Sequence, residues 1–554
     1  MMILNFLSTY LVFYENEMFF HKKLPFRLFF QMIQGIRPYP SCSKIPLNNP
    51  RIQQRIEQRR KFHETFNSSM IFRTESNNRK VFKHFLIFGA PPNIENEDDV
   101  KPELLFVYPS NELIFSLADI PIIQNFCFPN GFKRSNKEFS TNNTVSTEFI
   151  MFLSGSNLYG VCSHCLVNPQ RIPFFASEKS AKYPFCYCML TKYPIFSVQF
   201  EFLFYFARLI DRIVDPAGAR IFIEEKTILN EDNNFENLTQ RHNFAYWKGT
   251  HLPHTIKMEL YSMYNVYKQT SEEFGVQIDL SNDIKVLVPP WLDFNEYIAC
   301  STFDILFSLM SVSDIVRIFT AVLLECQTIF YSENLNTVTL SVLAIKALLH
   351  PFEINNALLP ILYESMYDLI NSPCPYIYGI SELPPDFEVS EGQVFVNLDK
   401  GTVESDCIIQ LPDNEAFIKE ISNVLEQYSK YISVPSVNNH RKYIKFIKNA
   451  HVYSRPLHSL LMYPTKYLIH PKVARKIIKI FSKKVYGGLE DLIKPYFVTD
   501  TTDPQNPVSI FDLDFFLSKG VHPFYAAFSN STFFNSFVDD LTDKMMDEKS
   551  LRNL

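Results

Sequence analysis

Four cysteines have a spacing that could bind a metal ion. Cys162 and Cys165 form a C-x2-C pair, and Cys186 and Cys188 form a C-x-C pair. Two close pairs of thiolates could supply the four soft ligands of a structural zinc site. However, Cys186 and Cys188 lie in the apolar run 185–190, where alternate residues of a strand share one face. Buried free cysteine is common in protein cores. We therefore predict a packing role for all four side chains, with no metal ion and no cofactor.

No motif for covalent chemistry or nucleotide binding is complete. Gly155 and Gly160 have the spacing of a phosphate-binding loop, but the lysine that should follow the second glycine is absent. A zinc-protease pattern begins at His63, but Asn67 stands where the second histidine ligand is needed. The dinucleotide fingerprint G-x-G-x-x-G and the G-x-S-x-G elbow do not occur. We therefore predict no catalytic residues and no enzymatic activity of the chain's own.

The composition is that of a globular protein without an overall basic charge. Of 554 residues, 46% are hydrophobic and 20% charged, and 53 Lys and Arg against 59 Asp and Glu give a net charge of −6. Neutralising nucleic-acid phosphates requires a basic face, so no nucleic-acid partner is predicted. The ten cysteines are spread through a long chain, which is typical of a reduced, cytoplasmic protein rather than of a small disulfide scaffold.

Residues 1–80 differ from the rest of the chain and are interpreted as an N-terminal extension. Their apolar start meets acidic residues before it reaches the thickness of a membrane, so no transmembrane segment is predicted. Further on, Arg51, Arg55 and Arg59 have the i, i+4 spacing of one helix face. A solvated helix face is the simplest interpretation, and peripheral contact with an anionic membrane is the alternative.

Two segments with strand and helix patterns follow, separated by a polar stretch. Residues 81–215 predict an α+β lobe with a long amphipathic helix at 195–214. Its predicted strands are 81–88, 103–108, 147–153, 157–163 and 185–191. Residues 216–252 are polar and predict a linker. Residues 253–400 predict a second lobe with a helix, a buried strand at 328–331 and an apolar helix at 336–350, typical of a covered sheet. Residues 401–554 are mostly helical in pattern.

Short motifs, in this order along the chain, resemble the DENN family. In the central part they are Leu323-Leu-Glu325, Ile329-Phe-Tyr-Ser332, Ala347-Leu-Leu-His-Pro-Phe352, Leu359-Pro-Ile-Leu362, Ser372-Pro-Cys-Pro-Tyr-Ile-Tyr-Gly-Ile380 and Val394-Phe-Val-Asn-Leu-Asp399. Upstream they are Phe85-Leu-Ile-Phe-Gly89, Tyr108-Pro109, Phe126-Cys-Phe-Pro-Asn-Gly131, Tyr159-Gly160 and the run 185–196. The downstream segments Phe515-Phe-Leu517, Pro523-Phe524 and Thr532-Phe-Phe-Asn-Ser-Phe537 match more loosely.

The resemblance implies an α/β (α+β) fold built as a two-lobed DENN module. It assigns residues 81–215 to a longin-like upstream lobe, 253–400 to the central lobe and 401–554 to the downstream helical region. The sequence departs from the family pattern at Cys326-Gln327 and at Ile354. The resemblance covers about residues 81–550 and leaves the extension 1–80 unexplained.

The function implied by the resemblance is exchange of guanine nucleotide on a Rab-family small GTPase, in the cytoplasm or on vesicle or endosomal membranes. Exchange breaks no covalent bond, which agrees with the absence of a catalytic constellation. Two alternatives stay open. One is a Rab-binding scaffold that has lost exchange. The other is a GTPase-activating relative, in which Arg134 would be the arginine finger.

We expect the GTPase to bind across both lobes, on turns rather than within strands, because loops on a rigid scaffold carry function. The candidates are Phe126, Pro129 and Asn130 in the first lobe and Ser332, Glu333 and Asn334 in the second. The alternative interpretation is ordinary local structure, since Pro-Asn-Gly is a turn signal and Ser-Glu-Asn could cap the following helix. Asn130→Arg and Asn334→Arg are expected to abolish binding without changing the melting temperature much.

Overall fold

The structure, a computed structural model, describes most of the chain after residue 79. The described residues are 80–94, 100–109, 114–135, 145–167, 175–213, 260, 263–264, 276–281, 284–288, 293–354, 356–385, 387–406, 409–429, 471–500 and 508–552. Residues 78–554 form one compact unit. The predicted basic helix face at Arg51, Arg55 and Arg59 and the predicted linker 216–252 lie outside the described residues.

The first sheet is antiparallel throughout and has the strand order β2-β1-β5-β4-β3. Its strands are β1 (His84–Gly89), β2 (Glu103–Tyr108), β3 (Val145–Leu153), β4 (Leu158–Cys165) and β5 (Phe185–Thr191). Helix α1 (Ile120–Cys127) connects β2 to β3, and α2 (Phe196–Ile213) follows β5. The five strands and the long helix predicted for this segment are confirmed, because strongly apolar runs bounded by turn residues specify strands locally.

The two glycines with phosphate-loop spacing lie in and beside the β3–β4 hairpin, and only the second has a packing role. Gly155 lies in the short 3-10 turn Ser154–Ser156 of the β3–β4 hairpin, and Asn157 completes that turn at a φ of 50°. Gly160 lies within β4 opposite Met151, and a Cβ there would collide with the Met151 side chain. Close packing between neighbouring strands therefore accounts for the second glycine.

The second sheet is parallel apart from one edge strand. A hairpin of β6 (Val276–Ser281) and β7 (Ile284–Val288) precedes it, followed by helices α3 (Phe294–Leu309) and α4 (Val312–Leu323). The sheet contains β8 (Gln327–Tyr331), β9 (Ala357–Leu359), β10 (Tyr376–Ile380), β11 (Gln393–Asn397) and β12 (Thr402–Ser405), and helix α5 (Leu335–Leu348) follows β8. The order is β12-β11-β8-β10-β9, with β12 antiparallel to β11. The second sheet thus extends beyond the predicted boundary at residue 400.

The remaining elements are mainly helices. They are α6 (Asn414–Ser429), α7 (Pro471–Ile493), β13 (Phe497–Asp500), β14 (Val508–Phe511), α8 (Leu513–Ser518), α9 (Pro523–Phe528) and α10 (Thr532–Arg552). The antiparallel hairpin β13–β14 was not anticipated from a pattern that indicated helices. Among the described residues, no single helix has both the length and the hydropathy to cross a membrane. Helices α3 and α4 pass that test only together, with a bend of 118° between them.

Helix α5 packs between the two sheets. Every residue of α5 except Lys346 is buried, as expected for a helix that is apolar on all sides. The amide of Ile150 on β3, the edge strand of the first sheet, donates a hydrogen bond to Thr339 Oγ1 on α5 at 3.1 Å. Lys346 Nζ donates to the hydroxyl of Tyr159 on β4 at 2.7 Å. The second segment's central helix therefore rests directly on the first segment's sheet.

Candidate functional site

The Pro-Asn-Gly turn predicted in the first lobe comes directly after α1. The amide of Gly131 donates to the carbonyl of Phe128 at 3.0 Å, which closes the turn. Gly131 has a φ of +78°, a backbone conformation that other residues adopt only with strain. The turn interpretation of these residues is therefore confirmed.

This turn is held against the second lobe by three contacts. The ring of Phe126, itself only 4% exposed, packs edge-on against the ring of Tyr363 with centroids 5.0 Å apart. The amide of Glu364 donates to the carbonyl of Pro129 at 3.2 Å. The hydroxyl of Ser381, just after β10, donates to Asn130 Oδ1 at 2.6 Å. All three candidates of the first lobe thus contact the second lobe.

The three candidates of the second lobe organise the segment between β8 and α5. Buried Ser332 donates through Oγ to Asp399 Oδ1 at 2.7 Å, and the amide of Glu333 donates to Asp399 Oδ2 at 2.9 Å. Asn334 Oδ1 accepts hydrogen bonds from the amides of Asn336 and Thr337, at 3.0 and 3.2 Å. Asn334 is therefore the N-cap of α5, as the alternative interpretation proposed. The side chain of Glu333 is exposed.

The parallel sheet brings both groups of candidates to one edge. Strands β8, β10 and β11 run in the same direction, so their carboxyl ends meet, and Ser332, Ser381 and Asp399 follow those ends. The amide of Ser332 donates to the carbonyl of Ile380 at 3.4 Å, which joins two of these strand ends. We use the term junction for these three strand ends together with the turn Pro129–Asn130, which packs against them.

Three members of the junction were missed by sequence reasoning. Ser381 and Asp399 each follow a buried strand of a DENN-like motif, and the rule that parallel strands end at one edge could have found them. Tyr363 carries no such signal, because its contact joins the residue before the 3-10 helix Glu364–Asn371 to Phe126 on α1, far away in the sequence.

The segments that form the junction also carry exposed apolar and acidic side chains. Ile122, 45% exposed, lies one helical turn before Phe126 on α1. Leu369 and Leu383, 37% and 42% exposed, lie in the 3-10 helix Glu364–Asn371 and just after Ser381. Large exposed apolar side chains are typical of interaction surfaces when they cluster.

Acidic side chains accompany these apolar ones. They are Glu333, Glu364, Asp368 and Glu382, all exposed. Burial, assisted by the negative charges of Glu382 and Glu364, raises the pKa of Tyr367 to about 12, so its phenol stays protonated. This edge of the molecule therefore combines hydrophobic contacts with negative charge.

The small change in melting temperature expected for Asn130→Arg and Asn334→Arg requires both asparagines to be exposed, and that assumption is wrong. Both are half-buried: Asn130 accepts the hydrogen bond from Ser381 at the junction, and Asn334 accepts the capping hydrogen bonds of α5. Replacement by arginine would remove those bonds as well as alter the surface, so a stability loss is expected alongside any loss of binding. Neither variant separates binding from folding.

Arg134 lies beyond the turn, in an exposed position. The next residue, Ser135, donates its amide to the carbonyl of Lys182 at 2.9 Å, which ties this segment to the 3-10 turn before β5. The structure therefore places the candidate arginine finger beside the first sheet rather than among the strand ends of the second.

The cysteine grouping taken from the spacing is wrong in one member. Cys165 lies three residues after Cys162 on β4, pairs with Phe185 and donates through Sγ to the carbonyl of Ser163 at 3.7 Å. Its place is taken by Cys127 at the end of α1. The Sγ atoms of Cys127, Cys162 and Cys186 lie within 4.8 Å of one another. The predicted burial of all the strand cysteines is confirmed, each being at most 2% exposed.

Comparison with known proteins agrees with this architecture. Residues 280–401 match the DENN (AEX-3) domain family, and residues 102–165 match the uDENN domain family. The chain is similar to DENN domain-containing protein 2B of Homo sapiens and of Mus musculus, each 23% identical over 366 residues, or 63% of this chain and 27% of the relative. It is also similar to DENN domain-containing protein 2A of Mus musculus, 37% identical over 84 residues, 15% of this chain and 8% of the relative.

The alignment thus spans only about a quarter of the length of the 2B proteins. The two matched families cover strands β2, β3 and β4 of the first sheet and nearly all of the second sheet, in the order that the motifs indicated. The resemblance noted from the residues is confirmed: the chain carries a uDENN domain followed by a DENN domain and is homologous to DENN domain-containing proteins 2A and 2B.

Proposed function

We propose that this chain binds a Rab-family small GTPase at the junction and promotes release of its GDP, in the cytoplasm or on vesicle or endosomal membranes. The observation that carries the proposal is the contact of the uDENN turn, through Asn130, with the strand ends of the DENN sheet, through Ser381. A composite surface of this kind can grip two parts of a partner at once. Ligands of open α/β sheets commonly bind at the carboxyl ends of the strands.

Nucleotide exchange requires differential binding rather than covalent chemistry. A GTPase that holds its nucleotide at nanomolar affinity stores about 12 kcal/mol. An exchange factor must bind the open, nucleotide-poor conformation better than the closed one. About 5.5 kcal/mol of differential affinity turns a 1:99 population into 99:1. A few buried apolar contacts and charged hydrogen bonds supply energies of that size without a catalytic acid or base.

The junction's side chains specify the chemistry of the partner's surface. Exposed Ile122 and Leu383 offer apolar contacts from the uDENN and DENN sides, respectively. Exposed Glu333 and Glu382 add negative charge, so the complementary surface of the GTPase carries apolar residues next to lysine or arginine. Charge of this kind mainly raises the association rate and selects the partner.

Release of labelled GDP from a panel of Rab GTPases, with the full chain as catalyst, tests the proposal. We expect at least one Rab to be accelerated, and Ile122→Ser and Leu383→Ser each to lower that acceleration about tenfold, which corresponds to about 1.4 kcal/mol. Ile510→Ser on β14 is the matched control, because Ile510 is 50% exposed but lies in another part of the fold. If Ile510→Ser reduces the acceleration as much as Ile122→Ser does, the binding site lies elsewhere.

The two alternatives give different results in the same preparation. A scaffold binds a Rab but leaves its GDP release at the intrinsic rate, so binding without acceleration would replace exchange by scaffolding. A GTPase-activating protein accelerates single-turnover hydrolysis of bound GTP and loses that activity in Arg134→Ala. We expect no acceleration of hydrolysis. If Arg134→Ala abolishes an observed hydrolytic activity, the exchange proposal is wrong.

A further inference from the structure

A compact group of thiols lies beneath the end of α1, on one face of the first sheet. Cys162 on β4 and Cys188 on β5 are directly paired across the strands, and His164 is paired with Cys186. Because alternate residues of a strand share a face, all four side chains lie on the same side of the sheet. Cys127 reaches this face from α1, with its Sγ within 4.8 Å of those of Cys162 and Cys186.

The end of α1 is fixed over the thiols by a separate contact. His164 Nε2 lies 2.6 Å from the carbonyl oxygen of Cys127, which is a hydrogen bond when that nitrogen is protonated. The same imidazole stacks on the ring of Phe128, the residue after Cys127, with centroids 5.3 Å apart. This contact fixes the backbone that carries the Cys127 side chain over the other thiols.

We propose that Cys127, Cys162, Cys186 and Cys188 bind one Zn²⁺ ion that fastens the end of α1 to the first sheet. Zinc in structural sites takes four cysteine sulfurs at about 2.3 Å in a tetrahedron, which separates the sulfurs by about 3.8 Å. Three of the sulfurs already lie within 4.8 Å of one another. Binding one zinc ion would therefore require these sulfurs to approach one another by up to about 1 Å.

The fourth ligand and the choice of metal follow from the same residues. Cys188 lies opposite Cys162, and its thiol interacts with those of Cys127 and Cys162, so its sulfur is the candidate for the fourth position. Four of the chain's ten cysteines thus lie at one face of the first sheet, three of them with their sulfurs within 4.8 Å of one another. All-sulfur ligand sets select thiophilic ions such as Zn²⁺ over Mg²⁺ or Ca²⁺, which require oxygen ligands.

The alternative is that the thiols only fill space, as the sequence predicted for a set that contained Cys165. Burial raises the pKa of all four thiols well above the ordinary value, that of Cys162 to about 11. Without a metal these thiols are neutral and behave as small apolar groups. A bound cation removes their protons, because it stabilises the thiolates directly. Metal content therefore distinguishes the two interpretations.

The test is elemental analysis of the full chain, purified under reducing conditions without chelator from zinc-supplemented cells. We expect about one zinc per chain, which Cys127→Ser and Cys186→Ser each remove. Cys165→Ser is the matched control, since Cys165 is an equally buried cysteine of β4 outside the group. It should retain the metal. If Cys165→Ser loses as much zinc as the Cys127 and Cys186 variants do, the assignment is wrong.

A second measurement on the unaltered chain covers the case in which the serine variants fail to fold. The chain is stripped with a chelator and titrated with Co²⁺ alone, which reports tetrahedral thiolate ligation through sulfur-to-cobalt charge-transfer and visible absorption. We expect saturation at about one ion per chain, displacement by Zn²⁺ and a lowered melting temperature of the stripped chain. No thiolate absorption together with no zinc in the purified chain would refute the site.

Discussion

Replacement of Glu325 by alanine should loosen the C-terminal helix α10 without altering the two sheets. Glu325 follows α4 in a left-handed conformation, with a φ of 57°. Its Oε1 accepts a hydrogen bond from the amide of Thr532, the first residue of α10, at 2.9 Å, and another from the Thr532 hydroxyl. The side-chain amide of Asn356 donates to the same oxygen at 3.3 Å. One carboxylate therefore joins three segments.

The size of the effect follows from the hydrogen bonds and the charge that the Glu325 carboxylate supplies. The amide of Thr532 is one of the donors at a helix N-terminus that have no partner within the helix. Losing a side-chain acceptor there costs about 0.5–2 kcal/mol, and losing the negative charge near the helix N-terminus costs about 0.3–1 kcal/mol. We expect Glu325→Ala to lower the free energy of unfolding by about 1–3 kcal/mol. Glu325→Gly should cost about 1 kcal/mol less than Ala, because glycine tolerates positive φ.

Amide hydrogen exchange of α10, followed by mass spectrometry, measures this effect locally. In Glu325→Ala, peptides from the start of α10 should exchange faster, whereas peptides from β8 and β10 should not change. Glu420→Ala is the control, since Glu420 is exposed on α6. A double-mutant cycle with Thr532→Ala isolates the direct pair, with an expected coupling of about 0.5–1.5 kcal/mol. A coupling energy of zero would refute the anchoring role. So would equal amide exchange rates of α10 in the Glu325 and Glu420 variants.

Two further predictions concern α5. Burial lowers the pKa of Lys346 to about 8 from its ordinary value of 10.5. Between these values the unfolded chain binds more protons, so the free energy of unfolding should rise as pH increases from about 8 to about 10.5. In urea unfolding, Lys346→Met should lack this rise, and parallel pH curves for the two proteins would contradict the prediction. Asn334→Ala, which removes the N-cap of α5, should lower the free energy of unfolding by about 0.5–2 kcal/mol. Asn334→Asp should cost much less, and equal losses in the two variants would rule out a capping role.

Local sequence determined most of the individual elements. Strands β2 and β5 occupy the predicted residues, and α2 lies within one residue of its predicted bounds at each end. These segments are apolar runs or stripes bounded by proline, glycine and polar turn residues, and such signals act over a few neighbouring residues. The cap of α5 at Asn334 belongs to the same class, because an N-cap contacts only the next two or three residues.

Other elements depended on partners that a local pattern does not contain. Strand β12 lies in a region whose pattern indicated helices, yet it pairs with β11 and extends the second sheet. The hairpin β13–β14 lies in the same region. Short strands carry a weak pattern of their own, and they are stabilised by hydrogen bonds to the neighbouring strand.

The sequence alone predicted the two turns of the junction but not that they lie close together. The hydrogen bond from Ser381 to Asn130 joins residues 251 positions apart, and it exists because three parallel strands end at one edge where the turn after α1 docks. In the same way, the C-x2-C spacing suggested that Cys165 belongs to the cysteine group. Cys165 lies on the opposite face of β4 from Cys162, and the end of α1 instead places Cys127 beside Cys162 and Cys186. Spacing along the chain determines which residues share a face, and only the packing of separate elements decides which faces meet.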